Sequence, residues 1–223
     1  MPRKSRILAL GLALAAVVAA GTFTFIHNSP AAHAGGTGGG CISTTGAPVC
    51  TVKGNSAFAE YESFTDCVGT QAFVNVSDQV SHNPPAASNT SLGVFAGVSQ
   101  FDFCAGTPIK DLFGQSSDAT FTVNGSLDAA TLVASIPVTD FDSGATGTLT
   151  VNLTFQGFGP ISQQIDSNHF RTAGFLLNSH INGDSRAARA SGTLSDGVTN
   201  FAASPTAFAD LAANKGGTLL ISH

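Results

Sequence analysis

The sequence has no tryptophan and a single tyrosine, Tyr61, although it contains 17 phenylalanines. Carbohydrate-binding modules usually stack sugar rings on Trp or Tyr, because those side chains combine a large apolar face with a polar group. Phenylalanine lacks the polar group and mostly fills cores. The aromatic usage therefore argues against a module that stacks sugars, while a lectin that reads hydroxyls with Asp, Asn and backbone groups stays open.

Positive charge is also scarce, with nine Lys and Arg against 14 Asp and Glu. Three of the nine lie within the first six residues, so a chain that lost residues 1–34 would keep six of them and carry a net charge of −8. An acidic chain without a basic stripe repels phosphates and has no means of releasing their counterions. We therefore expect no nucleic-acid partner.

The first forty residues have the pattern of an export signal. A basic start precedes an apolar run over residues 7–20, and Ala32 and Ala34 supply the small residues that a signal peptidase reads. Cleavage after Ala34 leaves 189 of the 223 residues, enough for one domain with a real core. An uncleaved anchor is the alternative, because residues 7–26 are mostly apolar over about the 20 residues that span a bilayer. We expect cleavage, no remaining membrane span, and a secreted or cell-surface protein.

Four cysteines, Cys41, Cys50, Cys67 and Cys104, predict two disulfides in an exported chain. Three pairings are possible. The turn residues 46–48 favour Cys41 with Cys50, which leaves Cys67 with Cys104. A zinc site is disfavoured, since no C-x-x-C pair occurs and export favours oxidation.

Short segments of alternating apolar and polar residues, bounded by Gly, Asn, Asp and Ser, predict an all-β chain. The clearest strands are 71–77, 130–138 and 148–155, and residues 92–103, apolar on both faces, suit a central strand. About ten strands predict a single-domain antiparallel β-sandwich, jelly-roll-like, over residues 51–223, with a closed β-barrel as the alternative. Residues 1–34 are then the signal peptide, and residues 35–50 are a Gly-rich linker and N-terminal disulfide loop.

Two further local structures are expected near the C-terminus. The Asn182-Gly183 dipeptide favours a tight type I′ turn, which predicts a hairpin between residues 175–181 and 185–194. Residues 205–214 precede Gly216-Gly217 and carry apolar residues at helical spacing, which predicts a short surface helix.

Positive charge collects around the predicted hairpin. Its register places His180 and Arg189 on one face, near Arg171, and places Arg186 on the other face beside Asp184. Because arginine offers a planar bidentate fork, Arg171, His180 and Arg189 are a candidate site for a carboxylate, sulfate or phosphate. The competing interpretation is that these arginines pair with acids on the strand surface.

Two pairs of acids are candidates for a calcium site and for a catalytic pair. Asp140 and Asp142 precede Gly144 as in the start of an oxygen-ligand calcium loop, but the remaining positions of an EF-hand loop do not match. A plain Asp-rich turn is the competing interpretation. Glu60 and Glu62 lie two apart on one strand face, as a glycosidase pair could, yet sugar-stacking aromatics are missing around them.

No nucleophile elbow, metalloprotease helix or other catalytic motif occurs, so we assign no catalytic residue, cofactor or metal. The sequence predicts an exported, disulfide-stabilised β-domain with a binding or structural role at the cell surface or in the medium. Its partner would be an extracellular ligand or surface component. An exported hydrolase acting on an extracellular substrate is the alternative.

Overall fold

A computed structural model describes the backbone of residues 50–82, 88–171 and 175–222. It describes the side chains of these residues except at positions 50, 52, 89, 164, 166, 168–171, 175–181 and 217–222. The predicted signal peptide and the linker with Cys41 lie outside the described residues. Within them the prediction of an all-β chain is confirmed, and no helix there is long and apolar enough to cross a membrane.

Ten strands and one short 3₁₀ helix, Phe201–Ala203, make up the described chain. The strands are β1 (Cys50–Thr65), β2 (Val68–His82), β3 (Asn89–Asp102), β4 (Thr107–Ser116), β5 (Ala119–Val123), β6 (Ala129–Asp140), β7 (Thr146–Gly157), β8 (Ser162–Arg171), β9 (Phe175–Ser195) and β10 (Thr206–Ser222).

All strands belong to one antiparallel sheet, in the order β10-β1-β2-β3-β4-β6-β7-β9-β8, with β5 paired to β6. Strand β9 is the longest, with 21 residues. Its C-terminal part pairs with β7, and its N-terminal part pairs with β8 along one edge and with β10 along the other. Strand β9 therefore joins β10, at one end of the sheet, to β7 and β8, at the other end.

The core is built mostly from small and branched aliphatic residues, together with Tyr61, Phe155 and Phe201. In β6 and β7 every second residue is buried, so the strands predicted from alternation over residues 130–138 and 148–155 are confirmed. Strand β3 pairs with β2 and β4, which confirms a central strand over residues 92–103. The largest completely buried side chains are Tyr61, Phe155, Leu127, Leu132, Ile136, Leu149, Leu153, Leu194, Leu211, Val74, Val76 and Val94.

The predicted hairpin at Asn182-Gly183 is wrong. Both residues lie inside β9, where Asn182 is opposite Lys215 of β10 and Ile165 of β8. A type I′ turn would have to break pairing on both edges of the strand. Long-range pairing therefore overrides the local turn preference of the dipeptide.

The predicted helix over residues 205–214 is also wrong, because this segment begins β10. Ala209 and Leu211 are buried on the core face, while Phe208 and Asp210 lie on the opposite face, which is a period of two. Pairing with β1 from Thr206 to Thr218 stabilises the extended backbone in preference to one short helix.

The predicted disulfide between Cys67 and Cys104 is confirmed, with the two Cα atoms 5.4 Å apart. It joins the turn between β1 and β2 to the turn between β3 and β4. The expected bond between Cys41 and Cys50 stays a prediction, because Cys41 lies outside the described residues.

Candidate functional site

A group of aromatic side chains lies on the face of the sheet opposite the aliphatic core. In β1, Ala57 and Ala59 are buried in the core, so the alternation of a strand directs Phe58 to the other face. The same alternation applies in β2, β3, β4 and β10, and the turn after β6 adds one more ring. We name this group the phenylalanine surface: Phe58, Phe73, Phe95, Phe113, Phe141 and Phe208.

The rings of the phenylalanine surface contact one another across five strands. Centroid distances are 6.0 Å for Phe58–Phe208, 6.5 Å for Phe58–Phe73 and 6.4 Å for Phe73–Phe113. Phe113 also lies 6.4 Å from Phe95 and 6.2 Å from Phe141. These distances fall within the 4.5–7 Å range of interacting aromatic pairs. The rings thus form a continuous apolar strip that is about 19 Å long at about 4.8 Å per strand spacing.

A glycine in the central strand allows the strip to be continuous. Gly97 of β3 is opposite Phe73 on one side and Phe113 on the other. A Cβ atom at this position would lie 2.6 Å from the Phe73 ring. The two phenylalanines therefore meet over Gly97, where any other residue would force a ring to move.

Several of these rings are open to solvent. The exposed fractions are 38% for Phe113, 43% for Phe208 and 68% for Phe141, while Phe58, Phe73 and Phe95 are partly buried by their neighbours. A single exposed apolar residue is ordinary, but a contiguous exposed apolar patch is typical of an interaction site.

Two carboxyl groups lie within the phenylalanine surface. Glu60 is opposite Phe208 and Phe73, is 4% exposed, and accepts a hydrogen bond from Gln71 Nε2. Burial raises its pKa more than the Gln71 hydrogen bond lowers it, and the charge of Glu62 on the same strand face adds to the rise. Asp210 is opposite Phe58, and burial raises its pKa to about 6.

Neither carboxyl group has a cationic partner among the described residues. The ion pairs found there join Lys110 to Asp196 and Arg186 to Asp128. Arg186 therefore does not form the expected pair with Asp184; it reaches the turn between β5 and β6, and it also donates to the Gly159 carbonyl. Within the part of the chain whose side chains are described, Glu60 and Asp210 therefore have no compensating charge.

The structure does not bring the predicted anion-binding residues together as the hairpin would have. His180 and Arg189 are nine residues apart on one continuous strand, about 30 Å at 3.3 Å per residue. The guanidinium of Arg189 lies 5.1 Å from the centroid of the Phe158 ring. The side chains of Arg171 and His180 lie outside the described ones, so the anion site stays a prediction.

The carboxylate oxygens of Asp140 accept hydrogen bonds from its own turn and from β4. Oδ1 accepts the backbone N–H groups of Asp142 and Ser143 and the Ser143 hydroxyl, and Oδ2 accepts the N–H of Asp111. The bonds from Ser143 contribute most to a lowered pKa of Asp140. These contacts are those of an Asp-closed turn. The calcium site at Asp140 and Asp142 stays a prediction.

Within the described part of the chain, one set of three metal-binding side chains comes close together: Cys67, Asp102 and Cys104. Two of its members form the disulfide. The Asp102 carboxylate accepts the N–H groups of Cys104 and Ala105. This set therefore stabilises the turn between β3 and β4 and offers no free ligands.

One open polar pocket lies where β8, β9 and β10 meet. Its volume is about 160 Å³, below the 300–1,000 Å³ of ordinary small-molecule sites. It does not support the alternative of a hydrolase. Its lining residues are Gln163, Asn182, Gly183, Asp184, Ala213, Asn214 and Lys215.

No protein-family model, curated protein or solved structure matches the chain. We therefore infer a function from the chemistry of the phenylalanine surface.

Proposed function

We propose that the protein is an exported binding protein whose contact surface is the phenylalanine surface. The observation that carries this proposal is the continuous strip of partly exposed rings on the sheet face opposite the core. None of these six rings belongs to the buried core cluster, so they are not needed to complete it. Covering them with an apolar partner would remove their area from water, which is the main driving force of such association.

Export is supported by two independent features. The N-terminal residues have the charge and apolar pattern of a signal, and the Cys67–Cys104 disulfide is of a kind that persists in oxidising compartments. N-terminal sequencing of protein recovered from the medium is expected to begin at Gly35. Recovery of material that still contains residues 7–26 would contradict cleavage and make the protein membrane-tethered.

We also propose that the sheet is closed on itself, in preference to the expected sandwich. The pairing of β9 with both β7 and β10 supports this, because eight strands then form a circuit with no free edge. Closure would hold the strands that carry the rings in a fixed register. Slow amide exchange along both edges of β9 is the expected result, and fast exchange along its edge with β10 would contradict closure.

The binding role can be tested with Nile red, a neutral dye that becomes fluorescent on apolar surfaces. Phe113 is in ring contact with Phe73, Phe95 and Phe141, so Phe113→Ser removes three ring contacts and interrupts the strip. We expect this variant to lose most of the dye fluorescence of the wild-type protein.

The matched control is Ile165→Ser in β8, because Ile165 is 64% exposed but lies away from the phenylalanine surface. It should leave the fluorescence unchanged. Circular dichroism of both variants confirms that they fold. Equal fluorescence in Phe113→Ser and wild type would refute the assignment of the binding surface.

A further inference from the structure

Two carboxyl groups, those of Glu60 and Asp210, lie among the rings where the phenylalanine surface crosses β1 and β10, and they suggest the chemistry of its ligand. We propose that Glu60 and Asp210 receive the ammonium group of an alkylammonium amphiphile, whose alkyl chain lies along the rings toward Phe113. This proposal rests on the proposed function and adds the class of ligand to it.

The geometry supplies both parts of a cation site. Glu60 of β1 is opposite Phe208 of β10 on one side and Phe73 of β2 on the other, and Asp210 of β10 is opposite Phe58 of β1. The rings of Phe58 and Phe208, which are opposite Asp210 and Glu60 in the strand register, are in contact at 6.0 Å with a tilt of 48°. Aromatic faces attract ammonium groups through their quadrupole, and a neighbouring carboxylate adds the opposite charge.

The charges around these two acids leave them uncompensated. On β1 the nearest further charge is Glu62, which is also negative, and the facing part of β2 presents the uncharged Gln71, Phe73 and Asn75. On β9 the neighbour of Asp210 is Ala187, and two residues further Arg189 is stacked on Phe158. A cation from outside the chain would therefore meet two carboxylates with no competing ion pair among the described residues.

The apolar strip argues for an amphiphile over a bare cation. A metal ion or ammonium ion would use the carboxylates alone and leave the rings of Phe73, Phe113 and Phe141 in water. An alkyl chain attached to the cation would cover those rings, and each buried CH₂ would increase the affinity about fourfold. The strip leads away from the acids across β2, β3 and β4, which is the path that such a chain would follow.

Isothermal titration calorimetry of the purified protein can test this with two amphiphiles that share a chain and differ in headgroup. Dodecyltrimethylammonium carries the cation, and dodecyl maltoside is neutral; both are used below their micelle concentrations. The wild-type protein is expected to bind the cationic amphiphile at least about tenfold more tightly, because the carboxylates and the aromatic faces attract its charge and do not attract the neutral maltoside. Glu60→Gln and Asp210→Asn should each remove about that factor and leave binding of the maltoside unchanged.

Asp118→Asn is the control for charge, because it removes one negative charge from an exposed turn away from the surface. It should bind like wild type. The pH dependence gives a second readout: affinity for the cation should fall from about pH 8 to about pH 5, as Asp210 becomes protonated, and Asp210→Asn should lose most of this fall.

The possible failures separate the two proposals. If both amphiphiles bind equally and only Phe113→Ser weakens them, the proposed function stands and the preference for a cation is overturned. If Phe113→Ser changes the binding of neither amphiphile, the proposed function itself is refuted. If the cation binds tightly but Glu60→Gln and Asp210→Asn bind it like wild type, the acids do not receive the ammonium group.

Discussion

Replacing Asp210 with asparagine is expected to stabilise the protein at neutral pH. The carboxyl group lies beside Phe58 with no cationic partner among the described residues, and burial raises its pKa to about 6 from the ordinary value of 3.8. The folded state thus favours the neutral form of Asp210. Its ionisation above about pH 6 costs folding free energy that the unfolded chain does not have to supply.

The size of this cost follows from the pKa difference. About two pH units separate the folded and unfolded values, and each corresponds to about 1.4 kcal/mol, so the cost approaches about 3 kcal/mol at high pH. Because the pKa of Asp210 is higher in the folded state than in the unfolded state, protonation of this carboxyl group stabilises the folded protein. Its contribution is fully favourable below about pH 4 and is lost as the pH rises through about 6.

Urea unfolding monitored by circular dichroism, at several values between about pH 4 and pH 8, measures this directly. Asp210→Asn should be more stable than wild type at pH 8 by about 2 to 3 kcal/mol, and the difference should shrink toward pH 4. Asp118→Asn should show no such difference. If Asp210→Asn were less stable than wild type at pH 8, or had the same pH dependence, the carboxyl group would have a favourable partner and the reasoning would be refuted.

Two further predictions concern the scaffold of the surface. The double variant Cys67→Ser, Cys104→Ser removes the disulfide between residues 37 positions apart, which should lower the free energy of unfolding by about 4 kcal/mol on the loop-entropy model. Urea unfolding measures this loss. If stability is unchanged, the disulfide does not constrain the unfolded chain. Gly97→Ala should cost about 1 to 3 kcal/mol, because its Cβ would lie 2.6 Å from the Phe73 ring. It should also reduce Nile red fluorescence, whereas Gly125→Ala, where a Cβ meets nothing within 4 Å, should do neither.

The sequence predicts those elements whose local pattern has one interpretation. Residues 148–155 alternate strictly, and in β7 the four apolar residues among them are buried, which only a half-buried strand satisfies. The pairing of Cys67 with Cys104 followed from assigning the other two cysteines to a short turn. Neither prediction depends on which strands are neighbours in the sheet.

The remaining features depend on long-range pairing. Asn182-Gly183 has the composition of a turn, but pairing with β8 and β10 on both edges keeps it extended. The phenylalanine surface is not predictable from alternation alone, because β3 is apolar on both faces and alternation does not tell which face is the core. The available signal was in the side-chain sizes: Val94, Ala96 and Val98 fill the core, and the larger Phe95 lies on the other face.

The most direct test of the account is NMR of protein labelled with ¹³C in its phenylalanine rings, titrated with dodecyltrimethylammonium. We expect the resonances of Phe58, Phe73, Phe113 and Phe208 to shift together with one affinity, while that of Phe155, which is buried in the core, does not shift. Shifts confined to rings outside the phenylalanine surface, or no shift within it when the amphiphile binds, would contradict the claim that this surface is where the protein binds its ligand.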